Sequence, residues 1–255
     1  AETEGLSLVL THSHPGGLFD FSLHDDKSDQ LTMPGVFQAL GSLHGTAIMT
    51  PDGAILARLY RPDVEPISVD SVTVIGDELT WWWADKQFSS RPMAFTSQAT
   101  DELARLSACV VGVSGTGSLV AEQLARLGFG QVILIDFDKL ELRNLNRIIN
   151  STMEDAKAQR SKVFAFAEAV ATYRGEGVAV PVNASILTRE AVLNASQADV
   201  LFSCVDTLDA RQVADLIGSS FLIPLFDVGV SIPTRKSSLG PTIADVCGRI
   251  DYVQP

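Results

Sequence analysis

The stretch from Val110 to Arg147, VVGVSGTGSLVAEQLARLGFGQVILIDFDKLELRNLNR, constrains this chain more than any other. An apolar run ending at Gly112 reads as a buried strand. Gly112, Gly115 and Gly117 crowd the turn that follows, and Leu119, Val120, Leu124 and Leu127 then recur at helical spacing until Gly128. A second apolar run, VILI, ends in Asp136 and Asp138. Strand, glycine turn, helix and acid-tipped strand is an order that builds a nucleotide site. Glycines let backbone N–H groups approach a phosphate, and the helix N-terminus adds a partial positive charge. Asp136 stands where it can accept from ribose hydroxyls.

The alternation continues downstream. Candidate strands at 108–111, 132–135, 178–182, 200–203 and 223–226 alternate with candidate helices near 117–127, 161–173, 188–195 and 207–218. Such βαβ units imply an α/β fold, a Rossmann-like and mostly parallel sheet covered on both faces. Upstream lie a strand at 6–11, a polar loop at 12–25, and a helix at 27–40 interrupted by Pro34. Short strands at 46–50, 55–60 and 69–75 follow. These describe a small mixed α/β domain. Trp81, Trp82 and Trp83 read as a covered sheet edge or a packing contact. The expected organisation is a first domain at 1–84, a linker at 85–98 and a second domain at 99–255.

Composition excludes some partners. The chain has 255 residues, is 46% hydrophobic and carries a net charge of −12. That acidity argues against nucleic acid or an anionic membrane, because phosphate contacts need an excess of Lys and Arg. No apolar run reaches the roughly 20 residues of a membrane helix. Cys109, Cys204 and Cys247 lie far apart with no metal-binding spacing, and AETEG is neither signal nor transit peptide. A reducing, cytoplasmic location is the expectation.

The residues after the second strand distinguish between chemistries. Arg143-Asn144-Leu145-Asn146-Arg147 follows at once, and Lys162 sits on the next candidate helix. A hydride-transferring dinucleotide site has no use for this cluster. A site that cleaves ATP between the α- and β-phosphates does, because charge develops on both sides of the breaking bond and cations offset it. Asp206 follows a third buried strand, so its carboxylate should emerge at the same sheet edge, where it could hold Mg²⁺. Two readings compete with ATP cleavage: an NAD(P)-dependent Rossmann oxidoreductase, and a non-catalytic nucleotide-binding scaffold.

In sum GVSGTG, DFD, RNLNRI, Lys162 and Asp206 resemble the pattern of the ThiF/MoeB/ubiquitin-activating superfamily over about residues 98–255. The resemblance implies adenylation of a protein or peptide C-terminal carboxylate, with a ubiquitin-like protein as partner and ATP and Mg²⁺ as cofactors. It implies that Gly112, Gly115 and Gly117 line the phosphates, alongside Asp138, and that Asp136 holds the ribose. Asn144, Arg147 and Lys162 would contact phosphates, and Asp206 would bind Mg²⁺, with Arg147, Lys162 and Asp206 catalytic. Ser114 and Ile148 depart from the family's glycine and glutamine. An arginine ahead of the first strand, Arg91 here, would match one that relatives use, often toward a partner subunit. By the same resemblance the protein would be a homodimer.

The first domain carries a second motif. His12-Ser13-His14-Pro15, then Ser22 and Asp25, match HxHP…SxxD. Two histidines one residue apart point the same way from an extended segment, and a nearby carboxylate completes three Zn²⁺ ligands with one position open for water. The set resembles the JAB/MPN+ (JAMM) metallopeptidases. That implies an isopeptidase with His12, His14 and Asp25 on zinc and Ser22 stabilising the oxyanion. The general-base glutamate of that family has only Glu2 and Glu4 as counterparts ahead of His12. The two motifs together resemble fusions found in prokaryotic ubiquitin-like conjugation systems.

Overall fold

In the computed structural model, residues 6–41, 43–63, 65–85, 97–237 and 240–255 are described. Arg91, Glu2, Glu4 and most of the expected linker lie outside them. The chain divides into two units, Ala1–Ser90 and Arg91–Pro255.

The first unit is built from β1 (Val9–Ser13), α1 (Leu23–Leu40), β2 (His44–Met49), β3 (Ile55–Tyr60), β4 (Pro66–Ser68), β5 (Ser71–Ile75) and β6 (Leu79–Trp83). Strands β1 to β4 form one sheet in sequence order. The β1–β2 pair is parallel, as a helical crossover requires, and the other pairs are antiparallel. The β5–β6 hairpin pairs Ser71 with Trp83 and Thr73 with Trp81, so the tryptophans lie in a strand of a two-stranded sheet. The strand expected at 69–75 is β5, which starts two residues later at Ser71, and β4 just ahead of it is an additional short strand.

Helix α1 corrects the expected span. It begins at Leu23 because Ser22 and Asp25 form a reciprocal capping box, and it runs through Pro34 without ending. Its buried positions, Asp25, Asp29 and Met33, recur every four residues, so the face against the sheet is mostly acidic. Arg58 of β3 answers that charge. It donates to Asp29 at 2.7 Å and to Asp26 at 2.6 Å, while Thr46 and Tyr60 also donate to Asp29 at 2.8 Å each.

The second unit contains α2 (Ser97–Leu103), β7 (Ser107–Val111), α3 (Gly115–Leu127), β8 (Gln131–Ile135), α4 (Met153–Lys157), α5 (Lys162–Arg174), β9 (Ala179–Val182), α6 (Arg189–Ala195), β10 (Val200–Ser203), α7 (Leu208–Phe221), β11 (Leu225–Ser231), β12 (Thr234–Ser237), β13 (Gly240–Ile243) and β14 (Cys247–Val253). Its main sheet has the order β14-β11-β10-β7-β8-β9. All pairs are parallel except β11–β14, an antiparallel edge pair that the sequence pattern did not indicate. Strand order reverses beside β7, which makes a crevice at the carboxyl ends of β7 and its neighbours. Cys109, Val111, Ile133, Ile135, Leu201 and Leu225 anchor a core under α6 and α7. Among the described residues no helix is long and apolar enough to cross a membrane.

Candidate active site

A cavity of about 1540 Å³ opens at that crevice. The glycine turn forms one wall. Gly112 has φ +88°, and a Cβ there would lie 3.0 Å from the Cys204 carbonyl oxygen, so the turn requires glycine. Gly115 lies at the start of α3, and a Cβ on it would meet the Arg147 side chain at 3.2 Å. Gly112 and Gly115 line the cavity, as do Ser114 and Thr116. Gly117 differs from the expectation. It is buried outside the lining, and a Cβ on it would fall 1.7 Å from the Gly112 oxygen. Its role is close packing of helix against turn, not contact with phosphate.

Asp136 follows β8 directly and is buried. Its carboxylate accepts from Val113 N–H and Asp138 N–H, each at 2.8 Å, and so pins the glycine turn to the neighbouring strand. Lys162, at the start of α5, is also buried, and its Nζ lies 2.7 Å from Asp138 and 3.4 Å from Asp136. The lysine is thus held between two carboxylates at the cavity wall rather than free on the surface.

The Arg/Asn cluster folds as a 3-10 turn, Leu142–Asn144. Asn144 is buried and accepts from Glu141 N–H at 3.0 Å. Arg147 is exposed and donates to Arg143 O and Asn146 Oδ1, with no carboxylate partner among the described residues. Ile148, where the family pattern has glutamine, is buried with Leu140 and Ala165 and anchors the segment through apolar packing. Asp206 follows β10, lines the cavity and has no hydrogen-bond or ion-pair partner among the described residues. An exposed, uncommitted carboxylate opposite a phosphate-type glycine turn is a donor that fits Mg²⁺.

Two groups of the site were not foreseen. Glu122, buried on α3, accepts from Arg126 at 2.6 Å, from Asn150 at 2.6 Å and from Tyr173 at 2.5 Å. Burial raises its carboxyl pKa, but these bonds outweigh burial and leave it lowered. Arg211 on α7 pairs with Asp227 of β11 and donates to Val205 O at 2.6 Å, tying the loop of Asp206 to the sheet. The sequence signals were an i,i+4 Glu/Arg pair and an arginine flanked by the buried Ala210 and Ala214. Cys204 follows β10. Burial and the field of Asp227 push its thiol up to about 12, so it is not a nucleophile.

In the first unit His12, His14 and Asp25 offer ligand atoms all within 4.8 Å of one another. His12 Nε2 lies 3.0 Å from Asp25 Oδ1, and His14 Nε2 lies 3.2 Å from Asp25 Oδ2. His14 Nδ1 lies 2.8 Å from Leu18 O; because a carbonyl only accepts, this nitrogen donates, which leaves Nε2 as the ring's candidate ligand atom. Two imidazole nitrogens and one carboxylate, with one ring oriented from behind, fit a zinc ion. Burial raises the Asp25 pKa, yet hydrogen bonds from Ser22, then the fields of His12 and His14, bring it down to about 2. Ser22 departs from its expected role. Its hydroxyl donates to Asp25 at 2.7 Å and caps α1, so its proton is already committed.

The fold and the cavity define a Rossmann-like α/β domain with a glycine turn, a buried acid after β8 and a buried lysine at one crevice. A family model for ThiF matches residues 89–236, more than half of the sequence, and the chain belongs to the ThiF family. Ubiquitin-like modifier-activating enzyme 5 of Culex quinquefasciatus is 31% identical over 168 residues, covering 61% of this chain and 38% of that protein. Its counterpart from Caenorhabditis briggsae is 28% identical over 211 residues, covering 77% and 43%. The chain thus spans less than half the length of these relatives. Among solved structures, Escherichia coli tRNA N6-threonylcarbamoyladenosine dehydratase is similar at a TM-score of 0.48 and 24% identity, over 57% of this chain and 64% of that one.

Proposed function

We propose that the second unit binds Mg·ATP and adenylates the C-terminal carboxylate of a ubiquitin-like protein. A carboxylate oxygen attacks the α-phosphorus, an acyl–phosphate anhydride forms, and pyrophosphate leaves with the bonding electrons. The observation that carries the reading is the charge arrangement in one cavity: buried Lys162 between Asp136 and Asp138, unpaired Arg147 and uncommitted Asp206 around one glycine turn. Lys162 and Arg147 offset charge on the phosphates, and Asn144 supplies an amide. Asp206 would hold Mg²⁺, which when bound would supply positive charge beside the phosphates. Relatives named as ubiquitin-like modifier-activating enzymes support the carboxylate as acceptor. Isotope exchange of pyrophosphate into ATP with candidate substrate proteins tests it. Exchange that disappears in Asp206→Ala is expected. Tight NAD binding without ATP binding in calorimetry would overturn it in favour of an oxidoreductase.

A second reading concerns the first unit, because the His12, His14 and Asp25 cluster stands apart from the nucleotide chemistry. These residues bind zinc, and the unit acts as a JAMM-type isopeptidase or its inactive descendant. Bound zinc would supply an activated water for hydrolysis. Metal analysis of the purified protein addresses this reading; one zinc per chain, lost in His14→Ala, is expected.

A further inference from the structure

Asp206 stands exposed on the loop between β10 and α7, with no hydrogen bond or ion pair to its side chain among the described residues. A ligand on a loop binds tightly only if the loop is already in place, because ordering it on binding costs conformational entropy. One residue holds this loop on both sides of Asp206. Arg211 Nη2 donates to Val205 O at 2.6 Å, and the Arg211 backbone N–H donates to Thr207 O at 3.2 Å. The carbonyls flanking Asp206 thus accept from the same arginine. Ahead of them, Cys204 N–H donates to Val111 O at 2.8 Å, where the chain is still held by the sheet. Thr207 is the N-cap of α7 but makes no side-chain cap bond, so its hydroxyl adds nothing to the hold.

The guanidinium is itself fixed. Its Nη1 pairs with Asp227 of β11, and the other oxygen of Asp227 accepts from Arg249 of β14 at 2.5 Å. The group lies against the β11 backbone, where a Cβ on Gly229 would stand 3.4 Å from Nη2. Arg211 lines the nucleotide cavity, yet both amino groups of its fork are engaged within the protein. The planar fork serves a carboxylate and a carbonyl at once; a lysine ammonium is a point charge without that fork. The path runs from the sheet, through Asp227 and Arg211, to the two peptide groups beside Asp206.

We propose that Arg211, anchored by Asp227, is a positioning residue for the metal: it holds the Val205–Thr207 loop so that the Asp206 carboxylate is presented to Mg²⁺ without prior ordering. Partners that orient a metal ligand from behind are worth about 10–100-fold in metal affinity. The proposal rests on the adenylation reading, with Asp206 as metal ligand, and adds the residues that aim it.

Calorimetric titration of the full chain with ATP, in EDTA and then in excess Mg²⁺, reads the metal's contribution as a ratio of two Kd values. Arg211→Lys keeps the charge and loses the fork. Its ratio is expected to fall by about tenfold, with Kd in EDTA within about twofold of wild type. Asp227→Asn keeps an acceptor but drops the charge that anchors the guanidinium, and its ratio should fall in the same direction. Guanidinium ion, added to Arg211→Ala at concentrations far below those that unfold proteins, should restore part of the ratio, which a general loss of folding would not allow. An unchanged ratio in both Arg211→Lys and Asp227→Asn overturns the positioning role and leaves adenylation standing. Affinity in EDTA that falls as far as affinity in Mg²⁺ overturns it as well, making Arg211 a contact of the nucleotide itself. Wild-type protein that binds ATP equally with and without Mg²⁺ removes the metal ligand and the proposal together. No ATP binding under either condition removes the nucleotide reading.

Discussion

The Glu122 carboxylate lies 2.6 Å from the Asn150 side-chain amide, and this bond joins α3 to the segment that carries Asn144 and Arg147. Ser118 adds a second tie, accepting from Ile149 N–H at 3.3 Å. The glycine turn and the Arg/Asn cluster are thereby held on one helix. Glu122→Gln keeps the shape but places an NH2 among three donors, leaving one unsatisfied. The expected cost is about 1–3 kcal/mol in urea unfolding, with weaker ATP binding by calorimetry. A double-mutant cycle with Asn150→Ala should show coupling of about 0.5–3 kcal/mol. Additive effects would mean that the two residues act separately.

The same carboxylate sets a pH dependence. Burial raises Glu122, but bonds from Tyr173, Asn150 and Arg126 outweigh it, so the folded value lies below the ordinary 4.5. A group lowered on folding contributes stability above its unfolded pKa and loses it as pH falls through the folded one. The stability gap between wild type and Glu122→Gln should therefore be complete near neutral pH and narrow below 4.5. Denaturant midpoints across an acid titration measure it; a gap that widens on acidification would contradict the assignment.

Asp206 has no protein partner among the described residues, unlike Asp136, whose oxygens already accept from two backbone N–H groups. Asp206→Asn should consequently leave folding within about 0.5 kcal/mol of wild type, as for surface changes away from networks. ATP affinity in EDTA should be unchanged, and the gain on adding Mg²⁺ should vanish. Calorimetry with and without Mg²⁺ decides; a retained Mg²⁺ effect would move the metal to another ligand.

How much of this was legible in the sequence depends on whether a signal is local. Strands ending at Val111, Ile135 and Ser203 follow from apolar runs, and the Asp136 position follows from its place after one of them. α1 starts four residues ahead of the expected 27 because the S-x-x-D of Ser22 and Asp25, which resembles a metallopeptidase motif, also caps a helix. β14 was missed because Cys247–Val253 mixes charged and apolar residues and pairs with a strand sixteen or more residues away in sequence. The acid-lined face of α1 has no apolar periodicity; only Arg58, on a different strand, makes it a buried face. Glu122 and Arg211 likewise act through partners distant in sequence.

Gly117 separates packing from phosphate contact. A Cβ there would stand 1.7 Å from the Gly112 oxygen, a distance no side-chain rotation relieves because the clash is with backbone. Gly117→Ala should shift α3 away from the turn and lower stability by several kcal/mol, at the upper end of single substitutions, about 4–5 kcal/mol. Gly115→Ala meets only the flexible Arg147 side chain at 3.2 Å and should fold normally. Thermal midpoints of the two variants check the contrast. Equal midpoints would show that the helix can retreat at little cost.

The first unit allows a test independent of catalysis. His14 is oriented by Leu18 O, and Asp25 by Ser22, so the three donors are positioned before any metal arrives. A ligand that binds only the folded state raises stability by RT ln(1 + [L]/Kd), about 2.7 kcal/mol at a hundredfold excess over Kd. Zinc should accordingly raise the unfolding midpoint of wild type. His14→Ala should abolish the rise. Asp25→Asn should reduce it while keeping an oxygen that can accept from Ser22 N–H, so α1 stays capped and the loss reports the ligand rather than the helix. Magnesium, which prefers oxygen donors, should produce no comparable shift. A zinc effect equal in wild type and His14→Ala would place the metal elsewhere on the chain.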